Sequence, residues 1–107
     1  MPNENYKRGA RSEYYVMDRL KKKGFSCIRS AGSHTPVDIV AGRAGKGFGI
    51  QVKRLEVKEN KDVLSSLAHN ELIDFCKEIG LQPMVAFKNE SGFWQIEHLI
   101  KGGRRPL

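Results

Sequence analysis

A chain of 107 residues is long enough for one domain with a single core, and short enough that pairing with a second copy would help it bury surface. Its 19 Lys and Arg against 12 Asp and Glu leave a formal charge of +7, which attracts polyanions, nucleic acid first among them. There is no apolar run of about 18 residues, and the polar start from Met1 to Arg8 has no signal-peptide core, so the expectation is a cytoplasmic chain with no membrane contact.

Residues 1–8, with Pro2, two Asn and Lys7-Arg8, read as a loose basic arm. From Gly9 to Lys23 the spacing predicts a helix with Ala10, Val16, Met17 and Leu20 on one arc, Arg11, Tyr15, Asp18 and Lys22 opposite, and Gly24 as its cap. Glu13 falls near the centre of the apolar arc. Either it is solvated at the rim, or it faces a polar partner inside the fold, and a converging Asp38 would favour the second. Lys21, Lys22 and Lys23 suit the negative end of the helix dipole whether or not they also meet phosphate.

Phe25 to Arg29 reads as a first strand, and the loop from Ser30 to Pro36 is small, polar and able to approach a phosphate closely. Val37 to Ala41 and Phe48 to Arg54 then form a hairpin across the turn from Gly42 to Gly47. In that register Asp38, Gln51 and Lys53 converge, because residues two apart on a strand share a face. Leu55 to Asp62 is a charged loop, either solvated or laid along a phosphate backbone.

Ser66 to Ile79 repeats Ala68, Leu72, Phe75, Cys76 and Ile79 at helical spacing and stops at Gly80. Pro83 to Lys88 and Phe93 to His98 read as a second hairpin around Asn89 to Gly92, with Trp94 packed inside it. The stretch from Leu99 to Leu107 is expected to be a short basic tail. Cys27 and Cys76 lack metal-site spacing and read as reduced core thiols. The order helix, three strands, helix, two strands predicts a single α/β domain over 1–107, a mixed sheet of about five strands covered by helices.

Glu13, Asp38 and the Gln51 side-chain oxygen make a hard-oxygen donor set that suits Mg²⁺, and the Val52 carbonyl between Gln51 and Lys53 can add a backbone oxygen. Cleavage of a phosphodiester needs such a cation together with positive charge at the developing oxyanion, a role for Lys53. Arg29 can grip a phosphate with its planar fork, and Ser33 can donate from the loop; each is equally open to a plain surface or turn role. His34 is left without a role. Lys7, Arg8, Arg29, Ser30, Ser33, Lys53, Arg54, Lys58 and Lys61 are the candidate DNA contacts.

Lys7-Arg8-Gly9 with Glu13, then Arg29-Ser30-Ala31-Gly32-Ser33, Val37-Asp38-Ile39-Val40-Ala41 and Ile50-Gln51-Val52-Lys53, together resemble the archaeal-type Holliday junction resolvases of the PD-(D/E)xK nuclease superfamily. The resemblance extends through Leu72-Ile73-Asp74-Phe75 and the last hairpin. It implies a restriction-endonuclease-like fold, a homodimer, and Mg²⁺-dependent paired nicking of four-way DNA junctions to give 5′-phosphate ends, with Mn²⁺ as a substitute metal. By motif, Glu13, Asp38 and Gln51 bind the metal, Lys53 is the catalytic lysine, and Arg29 and Ser33 assist at the phosphate. Two positions depart from the pattern: Gln51 stands where the family usually has Glu, and Tyr14 where it often has Arg.

Two other readings stay open. One is the same nuclease site acting on other branched, nicked or damaged DNA; the other is a non-catalytic DNA-binding module with a decayed metal site. Nothing in the sequence identifies a recombination or replication partner.

Overall fold

The computed structural model describes residues 4–30, 35–56 and 62–107, with side chains from 10–30, 35–53 and 62–107. The elements are α1 (Glu4–Lys22), β1 (Ser26–Arg29), β2 (Ile39–Arg43), β3 (Lys46–Glu56), α2 (Ser66–Ile79), β4 (Gln82–Lys88), β5 (Trp94–Ile100) and β6 (Gly103–Pro106). The six strands lie in sequence order in one sheet, antiparallel except for the β3–β4 pair. That parallel step needs a crossover, and α2 supplies it.

The sheet buries both faces. Val16, Met17 and Leu20 of α1 pack on Ile39, Ala41, Phe48, Ile50, Met84 and Ile96, while Leu72 and Cys76 of α2 pack on Val85, Phe87 and Leu99. β4 therefore carries four consecutive buried residues, Met84 to Phe87, as expected of a strand covered on both sides. α2 starts at the Ser65 cap, whose hydroxyl accepts from the Ala68 N–H, and ends at Gly80 in the left-handed conformation. Its His69 ring lies 3.1 Å from the Ile100 carbonyl, and its Cys76 Sγ is 3.9 Å from the Gly49 carbonyl, so the helix crosses under β4 from β5 to β3. No helix among the described residues is long and apolar enough to cross a membrane.

Four sequence expectations are corrected. The first helix begins at Glu4, so Lys7 and Arg8 lie in its first turns and not in a loose arm. The hairpin turn uses only Ala44 and Gly45, both at positive φ as a two-residue turn requires; Gly42 and Gly47 are paired strand residues. β2 starts at Ile39, one residue after Asp38, and β3 runs on to Glu56 through what read as the start of a loop. The expected tail is a sixth strand, because Arg104 bonds Glu97 on β5 at 3.2 Å and lays its guanidinium 4.8 Å from the Phe87 ring centre. Cys27 and Cys76 are both free thiols.

Gly49 sets how closely α2 approaches β3. A Cβ there would lie 2.7 Å from Cys76 Sγ and 2.9 Å from Val37 Cγ2, closer than packed atoms tolerate. Gly49→Ala is expected to cost about 1–3 kcal/mol through overpacking, read as a lower urea midpoint at unchanged slope. An unchanged midpoint would show that α2 is free to lift.

Candidate active site

Asp38 sits where two strands part. The β2–β3 ladder opens at the Ile39–Ile50 pair, so the Val52 N–H beyond it has no β2 strand residue opposite. The Asp38 carboxylate fills that place, Oδ2 accepting from the Val52 N–H at 2.8 Å. The backbone of Asp38 is held as well: its N–H donates to the Ile50 carbonyl and its carbonyl accepts from the Ser30 N–H, both at 2.8 Å. The acid is thereby fixed against β3 between Gln51 and Lys53.

Burial pushes the Asp38 carboxyl up to about 6; the Val52 N–H opposes the shift, Glu13 adds to it and Arg29 offsets it. Glu13 reaches the site from α1, fixed by Val16 and Leu20 in the core below it. It is only 16% exposed and accepts from Arg29 Nε at 2.6 Å, a charge-assisted bond joining α1 to β1. Of the two readings open for Glu13, the fold takes the inward one.

Ile50 and Val52 pack with the α1 core, so Gln51 and Lys53 leave β3 on the other face. Gln51 Oε1 is buried and has no hydrogen-bond partner among the described residues. A buried carbonyl oxygen without a donor is costly, and a cation would satisfy it. Glu13 is close enough to Asp38 to push its carboxyl up, and carboxylate and amide oxygens are donor types that a hard divalent cation takes. Among the described residues no three His, Cys, Asp or Glu side chains gather.

Ser33, Lys58 and Lys61 lie outside the described residues, as do the side chains of Lys7, Arg8 and Arg54. The Ser30 N–H is spent on the Asp38 carbonyl. Two participants escaped sequence reasoning. The Val52 N–H is a backbone group that no residue pattern marks. Tyr14, seen only as a departure from a motif, places its ring 5.4 Å from the Arg29 guanidinium; a Tyr fifteen positions from a paired Arg gives no sequence signal.

The Asp38 shift has a definite pH signature. Its folded value lies above the ordinary value of 3.8, so between those pH values the native state holds more protons than the unfolded one, and stability falls as pH rises through about 6. With chelator present, Asp38→Asn is expected to be more stable than the parent chain at neutral pH by about 1–2 kcal/mol, after discounting for partial exposure. That advantage should shrink toward zero near pH 4. Denaturant midpoints across pH check this, and a gap that grows on acidification would contradict it.

Comparison with known proteins agrees with this geometry. The sequence profile of the archaeal Holliday junction resolvase family (hjc) matches residues 4–104. The crossover junction endodeoxyribonuclease Hjc of Methanocaldococcus jannaschii is 34% identical over 83 residues, 78% of this chain and 60% of that protein, so the match spans less than two thirds of the relative's length. The structure of Archaeoglobus fulgidus Hjc, a Holliday junction resolvase, superposes with a TM-score of 0.64 at 33% identity, over 83% of this chain and 70% of that one. The bacterial homing endonuclease I-Ssp6803I shares the fold alone, with a TM-score of 0.58 at 11% identity over 95% of this chain and 76% of its own. With a helix-borne Glu paired to Arg29, an Asp at the strand fork and Gln-x-Lys on β3, the chain belongs to the archaeal Holliday junction resolvase family.

Proposed function

We propose that the chain is a structure-selective endodeoxyribonuclease that resolves four-way DNA junctions by metal-dependent hydrolysis of paired phosphodiester bonds, leaving 5′-phosphate ends. The observation that carries this reading is the buried Gln51 Oε1 without a donor, next in sequence to the residue whose N–H anchors Asp38. Acceptors without donors in a basic chain suit a cation that in turn meets a phosphate.

Asp38, Glu13 and Gln51 would hold Mg²⁺, or Mn²⁺ in its place. Val52 supports a fourth oxygen: its N–H turns toward Asp38, and the N–H and C=O of one strand residue leave on the same side. Bound there, the metal supplies Lewis-acid polarisation of the phosphoryl oxygen and a more acidic water. Lys53, two residues beyond Gln51 on the same face, holds positive charge beside the reacting phosphate. Arg29 is oriented by Glu13 at Nε and by the Tyr14 ring, so its planar fork meets a phosphate with little ordering left to do. Two equivalent strands of a symmetric branch call for two equivalent sites, which a twofold homodimer supplies.

The deciding experiment incubates a labelled four-way junction or an equal-length duplex with the protein, in Mg²⁺ or chelator, beside Asp38→Asn and Lys53→Ala. The expected result is paired symmetric nicks on the junction alone, lost in chelator and reduced by a factor on the order of 10² or more in either variant. Equal cutting of duplex would move the reading to a nuclease of broader target. Tight junction binding with no cleavage in either metal would leave a binding module.

Gln51→Glu should lower the Mg²⁺ concentration for half-maximal cleavage severalfold, because it adds a charge to the donor set. Thermal shift against Mg²⁺ gives the same comparison without turnover, and no difference there would remove Gln51 from the set.

A further inference from the structure

A second polar constellation crosses the sheet diagonally, from the turn end of β2 and β3 to β5 and β6. Strand register pairs Arg43 with Lys46, Phe48 with Gln82, Met84 with His98, and His98 with Arg105. Paired residues share a face, and so do residues two apart on one strand. Ala41, Phe48, Met84 and Ile96 tie these positions to the α1 side of the sheet. Arg43, Lys46, Gln82, His98 and Arg105 therefore stand on one face, one on each of five successive strands from β2 to β6. At the usual strand spacing the row is about 19 Å wide.

The row is exposed at Arg43, Lys46, Gln82 and Arg105, and none of its positions holds an Asp or Glu. Its floor is aromatic. The Arg43 guanidinium lies 4.2 Å from the Phe25 ring centre and donates to the Lys23 carbonyl at 2.9 Å; Phe25 meets Phe48 edge-on at 5.6 Å, and Phe48 lies 5.9 Å from the His98 ring. Burial, then Arg105, then Arg43 hold the His98 imidazole below its ordinary value, so both cations act on one spot. Lys21 in the last turn of α1 adds charge near Arg43, while Lys22 is paired with Asp18 at 3.1 Å. Asp38 lies five residues from Arg43 along the chain, about 17 Å away if fully extended. Arg43 and Lys46 thus lie apart from Asp38 along β2 and β3, and His98 and Arg105 lie two and three strands across from β3.

We propose that this row binds the sugar–phosphate backbone of a duplex DNA arm, as a contact independent of cleavage. The choice of DNA over other polyanions rests on the reading of the chain as a DNA-acting enzyme. The row's width matches several successive phosphates, spaced 3.4 Å per strand along the duplex axis, and its exposed residues supply point charges and a planar fork with no base-reading groove element.

The test uses the full chain in chelator, with a labelled junction carrying long arms and one with arms cut back to a few base pairs. Lys46→Gln combined with Arg105→Gln removes two exposed charges, with circular dichroism and Tm confirming the fold. Binding to the long-armed junction is expected to weaken about tenfold, and the slope of log affinity against log salt to fall by about 2, roughly 0.9 per lost phosphate contact. Binding to the short-armed junction should stay unchanged, and Lys46→Arg with Arg105→Lys should restore the long-arm affinity. In the parent chain the His98 ring, followed by NMR, should protonate at higher pH once long-armed DNA is bound.

An unchanged salt slope with an unmoved His98 would overturn the proposal. So would equal losses on both junctions, or poly-glutamate reproducing the His98 response. If the parent chain fails to prefer junctions but the two-charge variant still loses duplex affinity and salt slope, the junction reading falls and this surface stands.

Discussion

One hydrogen bond organises the site. Where β2 stops pairing with β3, the Asp38 carboxylate replaces the missing strand partner and accepts the Val52 N–H. The bond satisfies a backbone donor that would otherwise be orphaned at the fork, and it locks an acid against the strand that carries Gln51 and Lys53. A single backbone donor does not repay the desolvation of a carboxylate, and the raised affinity of Asp38 for a proton records the shortfall. The free chain thus holds an acceptor cluster that is under-satisfied at neutral pH, with Gln51 Oε1 in the same condition. Both are oxygen acceptors short of donors among the described residues, and such groups lower the stability of the free chain.

The rest of the fold holds that fork open. The α1 core sets the height of the helix through Val16 and Leu20, and the Glu13–Arg29 bond clamps α1 to β1 across the same end of the sheet. On the other face, Gly49 lets Cys76 come against β3 two residues before Gln51. β3 is therefore gripped from both sides immediately before Gln51 and Lys53, and those residues inherit its rigidity.

What the sequence showed and what it hid divide along local and non-local lines. α2 was legible end to end because its Ser65 cap, its apolar stripe and its Gly80 stop all lie within the segment. Glu13 was legible because a carboxylate on an apolar arc is out of place. The β2–β3 turn misled because Gly42, Gly45 and Gly47 suggested a wide loop, yet Gly47 is small for a reason that lies elsewhere: a Cβ would strike Leu81. β6 was hidden because nothing near Arg104 in the sequence predicts that it will stack on Phe87 and pair with Glu97. The anchor of the site was hidden for a different reason, since a backbone N–H carries no residue identity.

The amide at position 51 changes the electrostatics of the whole centre. Glu13 and Asp38 contribute two negative charges, and Arg29 and Lys53 two positive ones, so with Gln51 the four groups balance; a Glu there would leave a net negative centre. A balanced centre attracts a divalent cation less strongly, but it also repels a phosphodiester less. Cation and phosphate then favour each other's arrival, because each brings the charge that the other lacks. In a chain of +7 overall, the cationic row proposed above would hold DNA by charge before the centre is loaded. On those two proposals, DNA affinity and the hold on a metal would rest on different residues of one sheet, so that a change at position 51 would leave DNA binding in place.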